Sequence, residues 1–467
     1  MPRAGWVKPA DDQRLSDHVA LGVLTRTFPP WFVDEVVEAA GKVERRHRLL
    51  PARLVVYYVL AMALFSDAGY EEVVRNLVEG LAWESGWERA WRVPSKSAIF
   101  QARQRLGVEP VRELFERGCV PFGTAAGGFY GRWRLVGVDG TTLNLADTPE
   151  NEQEFGRPGS WRGEGRAAFP QLRAVGLAEC ATHALFALAI GPCSTAEKTL
   201  ARELLGSLSD GMLVLADRGF FSFGLWGEAR ATGADLLWRT KAGHILPVDK
   251  RLGDGSYLSH LHEVVNFNRR PTDVVVRVVD YAVDDPGRPE VPERYRLVTT
   301  LLDPGAAPAA ELAALYPRRW EFETTLDELK THQRGPRVVL RSKNPLGVRQ
   351  EAYGMVCTHY AIRALMAEVA DHHGAGPERV SFTRSLHAAR RSVRSGVGTN
   401  ARDLSASLRA AIAEVGHELL PERRLRAAAR VVKRKMSNYG VKRAEHASWP
   451  RPTLRPAQAV RVIGAPT

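Results

Sequence analysis

The chain has 467 residues, of which 45% are hydrophobic and 25% charged, and its formal net charge is +12. That length exceeds one compact core, and the composition is that of a folded rather than a disordered chain. The basic excess favours a polyanionic partner such as DNA, RNA or an anionic membrane surface. Cys119, Cys180, Cys193 and Cys357 lie far apart with no CxxC pair, so neither a zinc ribbon nor a disulfide framework is expected. No apolar run reaches membrane-spanning length, and the start lacks the basic-then-apolar layout of a signal peptide. A cytoplasmic protein without a membrane partner is the expectation.

From about residue 15 to 120 the spacing predicts helices, over 15–25, 31–43, 51–64 and 70–81, punctuated by Pro29-Pro30, Pro51 and Gly69. Residues 94–107 form a further helix with Ser95 as its cap, displaying Lys96, Gln101, Arg103, Gln104 and Arg105. Such a helix suits the second helix of a helix-turn-helix, whose basic and amide side chains reach phosphates and base edges. A plain surface helix is the competing reading.

Beyond 120 the texture changes. A strand over 133–138 runs into Asp139-Gly140-Thr141-Thr142, placing Asp139 at or near its end. Residues 148–166 read as a long polar loop, and strands over 172–179 and 183–190 form a hairpin. After a helix over 195–208, the apolar run 212–216 is a strand buried on both faces, ending at Asp217-Arg218-Gly219. A helix over 223–232 and a strand over 235–240 follow. Residues 242–303 are β-rich, with strands over 274–282 and 295–301. Residues 345–415 are again helical, 421–443 are strongly basic, and the last residues are a loose tail rich in proline.

The stretch from Tyr316 to Lys330 is the most pointed. At 3.6 residues per turn it sets Tyr316, Arg319, Trp320, Glu323, Asp327 and Lys330 along one helix face. Such a face can hold a divalent cation, grip phosphate and stack on bases. An ordinary helix with ion pairs such as Arg319 with Glu323 fits the same residues. Asp139 before a glycine turn, Asp217 beside Arg218, and Glu323 each have a structural reading too. Their order on strand, hairpin, helix, strand, helix, strand, insertion and helix favours an active site that transfers phosphodiesters with two divalent metals.

These motifs resemble the DDE transposases of the IS4 type. The resemblance rests on Tyr-x2-Arg-x3-Glu-x6-Lys at Tyr316, Arg319, Glu323 and Lys330, on Val138-Asp139-Gly140-Thr141, and on Ala216-Asp217-Arg218-Gly219-Phe220. It implies a multidomain α+β protein: a helical DNA-binding region (1–125), a ribonuclease H-like α/β catalytic core (126–241 and 304–345), a β-rich insertion (242–303), a helical basic C-terminal region (346–445) and a loose tail (446–467). It also implies that Asp139, Asp217 and Glu323 are catalytic and bind Mg²⁺, with Mn²⁺ able to substitute. Tyr316, Arg319 and Lys330 would contact phosphates near the cut, and Trp320 would stack on a base. Lys96, Arg103, Arg105, Trp238, Arg239 and Lys241 are further DNA-contact expectations. The implied activity is cut-and-paste movement of an insertion sequence through a hairpin, by a homodimer acting on double-stranded DNA at terminal inverted repeats and a target, near the bacterial nucleoid. Two alternatives stand beside it: a catalytically silent, domesticated DNA-binding protein, and a ribonuclease H-like nuclease that cuts without joining.

Overall fold

The computed structural model describes residues 22–44, 48–82, 93–124, 128–159, 165–241, 243–265, 268–284, 294–335, 339–394, 401–421, 431–432, 440–448 and 454–464. The chain divides into two compact units. The first comprises Met1–Phe129, Asp139–Leu204 and Glu321–Leu420, and the second Tyr130–Val138, Leu205–Trp320 and Pro421–Thr467. No helix among the described residues is long and apolar enough to cross a membrane.

In the first unit, helices α1 (Val23–Thr27), α2 (Pro30–Ala39), α3 (Ala52–Leu64), α4 (Tyr70–Ala82), α5 (Lys96–Leu106) and α6 (Glu109–Gly118) realise the expected helical N-terminal region. Helix α3 is buried along nearly its whole length, as its apolar sequence requires of a central helix. It packs on a 28-residue helix, Pro345–His372, where Gly354 lets the backbones meet. A Cβ there would stand 2.7 Å from Val59 Cγ1. Thr358 Oγ1 donates to Leu60 O at 2.9 Å across the same contact. Asn344 caps the long helix through Gly347 N at 2.7 Å, with Pro345 in its first turn.

Two strands form the expected hairpin, β3 (Gln171–Glu179) and β4 (Leu185–Pro192), beside β2 (Trp133–Leu145) in the order β4-β3-β2. The short strand β1 (Phe129–Tyr130) also pairs with β2. The 148–166 loop is partly helical: Pro149–Phe155 is α7, with Thr148 Oγ1 accepting from Asn151 N. The Thr-Pro start and Gly156 end are ordinary helix signals, hidden in the sequence by the glycines and prolines that follow. Glu197–Glu203 is α8.

In the second unit the first half of β2 runs parallel to β5 (Met212–Ala216), which runs parallel to β6 (Asp235–Thr240). Helix α9 (Phe223–Ala231) connects them and buries Trp226 edge-on against Trp238 at 5.2 Å. The β-rich segment comprises β7 (Lys250–Arg251), β8 (Tyr257–Val265), β9 (Asn268–Val283) and β10 (Tyr295–Thr299), and β10 pairs antiparallel with β6. The insertion therefore ends as a continuation of the sheet it interrupts. Fully buried Arg277 on β9 ties it to the following loop, donating to Ala307 O at 2.6 Å and Ser256 Oγ at 2.8 Å and pairing with Asp254. Part of the expected loose tail is ordered: Val460–Val462 pairs antiparallel with β9. Most of the basic run 421–443 lies outside the described residues.

Candidate active site

Asp139 is not at a strand end. Strand β2 continues through it to Leu145, because Thr141, Thr142 and Leu143 are good strand formers and Gly140 stays extended. Asp139 is half-buried and its Oδ1 accepts from Gly140 N at 2.8 Å. The glycine serves a close approach: a Cβ on Gly140 would lie 2.7 Å from Glu197 Oε1, at the start of α8. The first unit thus brings an acid against Gly140, on the strand face opposite the Asp139 side chain, that the sequence pattern does not single out; a glycine inside a strand is its only signal.

The residues from 309 to 333 are not one uniform helix. Ala309–Leu315 is α10, Tyr316–Arg319 is a 3₁₀ turn, Trp320–Asp327 is α11, and Glu328–Gln333 is π-helical. In the first unit, half-buried Glu323 stands on α11, and Lys330 Nζ donates to Thr141 Oγ1 at 2.9 Å. Asp139, Thr141 and Lys330 line one pocket whose floor is apolar, including Leu172, Leu188 and Phe322. Burial, and then the charge of Arg334, hold the Lys330 ammonium below the ordinary lysine range.

In the second unit Asp217 directly follows β5, as expected, and its Oδ1 accepts from Gly219 N at 2.7 Å. Tyr316 is buried rather than displayed, and its hydroxyl donates to Ala216 O at 3.1 Å, next to Asp217. Burial pushes its phenol far above the ordinary range. Tyr316 thereby braces the strand end that carries Asp217, which replaces its expected exposed role. Arg319 is also buried, with its guanidinium 5.0 Å from the ring of Trp320, which is 47% exposed.

The outlying expectations divide. Ser95 caps α5 through Ala98 N at 3.3 Å, and Lys96, Gln101 and Arg105 are exposed on it. Arg103 is not available at the surface. It is buried, donating to Gln350 Oε1 at 3.0 Å, Gly347 O at 2.9 Å and Ser342 Oγ at 3.1 Å. Ile99, Ala102, Arg103 and Leu106 share the i, i+3, i+4, i+7 stripe, so helical spacing assigns Arg103 to the inner face. Trp238 is buried in the β6 core, which corrects its reading as a DNA contact. Arg239 lies over the Tyr295 ring at 4.5 Å, and Lys241 is exposed.

Among the described residues no three or more His, Cys, Asp or Glu side chains form a ready cage for a metal. Asp139 and Glu323 in the first unit and Asp217 in the second each offer oxygen donors only, the donor type that suits Mg²⁺, which is commonly held by one or two carboxylates together with substrate phosphate.

Residues 18–116 match the family described as insertion element 4 transposase N-terminal, and residues 134–360 match the transposase DDE domain. The transposase InsG for insertion sequence element IS4, from Escherichia coli strain K12, is 29% identical over 417 residues, covering 88% of this chain and 91% of that protein. The putative transposase InsZ of the same strain is 25% identical over 285 residues, covering 58% of this chain and 92% of its own length. A solved piggyBac transposase synaptic complex with hairpin DNA aligns over 86% of this chain and 85% of that one, at 13% identity and a TM-score of 0.40. With both family matches falling on the helical region and on the strands and helices that carry the three acids, the chain belongs to the IS4-type DDE transposases.

Proposed function

We propose that this transposase binds duplex DNA at the terminal inverted repeats of its own element and cuts it there in a divalent-metal-dependent reaction. One strand is hydrolysed at the repeat boundary. The freed 3′-hydroxyl attacks the opposite strand, closing a hairpin that is reopened before the end is joined to target DNA. The observation that carries the reading is the Lys330–Thr141 contact. It joins the last residue of the Tyr-Arg-Glu-Lys motif to the Asp-Gly-Thr motif, which are 189 residues apart. A structural ion-pair helix has no need of that meeting. The strand order β4-β3-β2 in one unit and β2-β5-β6 in the other supports a ribonuclease H-like core.

Asp139, Asp217 and Glu323 would hold Mg²⁺ or Mn²⁺, which when bound activates the attacking oxygen and stabilises the leaving one. The other roles fall to the chain itself. Lys330 places a cation two residues along the strand from Asp139, where it can receive a phosphate oxygen. The exposed ring of Trp320 offers a stacking face for a base displaced from the duplex, and hairpin closure requires such a displacement. Lys96, Gln101 and Arg105 give α5 an outer face for phosphates and base edges. Bringing two transposon ends together calls for a second copy of the chain, so a homodimer is the proposed working form.

The test is product analysis on a labelled duplex carrying the terminal repeat and its flank, with Mg²⁺ or Mn²⁺. A nick at the boundary, then a hairpin, then strand joining supports the proposal. A repeat-specific mobility shift without cutting would identify a silent binder. Cutting that ignores the repeat and yields no joined ends would identify a nuclease.

A further inference from the structure

Beneath the α11 helix the first unit buries a group of charges that the chemistry above does not use. Glu328 opens the π-helical turn that carries Lys330. Its carboxylate faces His359 Nε2 at 3.0 Å, Arg363 Nη1 at 3.3 Å and His183 Nδ1 at 3.3 Å. None of these four residues is more than 4% exposed. The other ring nitrogen of His183 lies 2.8 Å from Glu321 Oε2. One imidazole thus touches two carboxylates that bracket Glu323 in sequence, one before it and one after.

Three features set this cluster apart from an ordinary buried ion pair. Apolar side chains of similar volume often hold a fold as well as buried charges do, so stability alone is a weak reason for the ions. The ions instead lie where the backbone is unusual. His183, in the β3–β4 turn, is the non-glycine residue with positive φ (58°) among the described residues, and Arg363 Nε fastens that turn by donating to Thr182 O at 2.6 Å. Glu328 sits where α-helix gives way to π-helix, a local rewinding frequent at functional sites. Finally, apolar packing resists separation of a helix from its neighbours but resists rotation and slippage poorly. Directed contacts at Glu321 and Glu328, with Arg363 as a second anchor, fix both.

We infer that His183, Glu328 and Arg363 form a positioning cluster that sets the rotation of α11 and the turn after it, and so the spacing of Glu323 and Lys330. Glu328 is a positioning residue: it touches neither substrate nor the acids proposed to hold metal. The role in cleavage rests on the transposase reading, whereas the mechanical part does not.

The experiment therefore has two readouts on the full chain. The variants are Glu328→Gln, His183→Asn, which suits a positive φ, and the double variant Glu328→Met with Arg363→Met. The double variant removes both charges together, so it keeps the fold where a single loss could unfold it. Hydrogen exchange is followed over residues 320–333, alongside single-turnover cleavage of saturating repeat DNA and its Kd. The expected result is faster exchange confined to that stretch in all three variants, with cleavage at least tenfold slower and Kd within twofold. Parent-like exchange, or parent-like cleavage despite loosened exchange, in a folded double variant would overturn the role. If the parent itself does not cut while Glu328 variants still loosen the segment, the transposase reading fails and the mechanical inference stands.

Discussion

Asp217 leaves a strand whose surroundings are apolar, whereas Glu323 rides on a helix that packs Phe322 into the core and is flanked by ionic contacts at Glu321 and Glu328. Around Asp217, β5 is fixed on both sides by parallel ladders, and Phe220, Trp226 and Trp238 are buried nearby. A strand in a ladder cannot rotate without breaking backbone hydrogen bonds, so non-directional packing suffices to hold its end. Helix α11 satisfies its own backbone and has no ladder to set its azimuth. Its neighbours must supply direction, and His183, His359 and Arg363 do so through Glu321 and Glu328. Two acids serving one proposed chemistry are thus placed by different physical means.

The largest effects should expose that difference. Trp226→Ala empties a packed site and should cost about 3–5 kcal/mol. Glu328→Ala takes the Glu328 carboxylate away from the buried Arg363 guanidinium and should cost about as much, roughly 3–5 kcal/mol. Both are read from denaturant midpoints. The two should part when Glu328 and Arg363 are both replaced by Met, which should recover most of the stability; equal losses for the single and double variants would break the comparison.

Acid should sharpen it further. Burial alone would raise the Glu328 carboxyl, but the charges of Arg363 and His183, and hydrogen bonds from His183 and His359, outweigh it and hold the group well below the ordinary glutamate range. A depressed carboxyl contributes stability above its unfolded value, about 4.3, and loses it as pH falls through the folded value. Burial likewise lowers His359, against the opposing pull of Glu328. The unfolded chain therefore takes up that proton first, and stability declines as pH falls below about 6.5. Below about pH 4.3, melting temperatures should fall less steeply in the double Met variant than in the parent, whereas the decline that sets in at about pH 6.5 should persist in both, because His359 is kept. Trp226→Phe should leave the slope unchanged.

The smallest effect tests the contact that joins the two motifs. Thr141→Val removes one acceptor for Lys330 and should change stability by about 1 kcal/mol or less. Cleavage should slow several-fold at unchanged repeat affinity, measured in single turnover. An unchanged rate would mean that the Lys330–Thr141 contact is incidental to the chemistry.

Much of this was legible from the chain. The buried run 212–216, the hairpin strands and the Ser95 cap were readable because period, apolar continuity and capping are local signals. The Tyr-Arg-Glu-Lys spacing was readable as a motif but misleading as geometry. Its uniform helical face is broken by the 3₁₀ and π turns, and Tyr316 turns inward to Ala216. The continuation of the strand past Asp139 is hidden because Gly140 reads as a turn residue, and the Glu197 side chain against it comes from elsewhere in the chain. The inward placement of Arg103 is legible in the chain, because it shares the helical stripe of Ile99, Ala102 and Leu106. The cluster around Glu328 was out of reach, because His183, Glu328, His359 and Arg363 meet only through tertiary contacts and no spacing joins them.

The most direct test of the central claim is single-turnover cleavage of the repeat-end duplex by the parent, Asp217→Asn and Glu323→Gln, titrated with Mg²⁺. Loss of a residue that only orients a metal ligand commonly costs about tenfold to a hundredfold, so loss of a carboxylate that itself holds the metal should cost about a hundredfold or more. The parent should cut in a metal-dependent reaction that both variants lose, with folding and repeat binding retained. Cutting that survives in either folded variant would contradict the assignment of these acids.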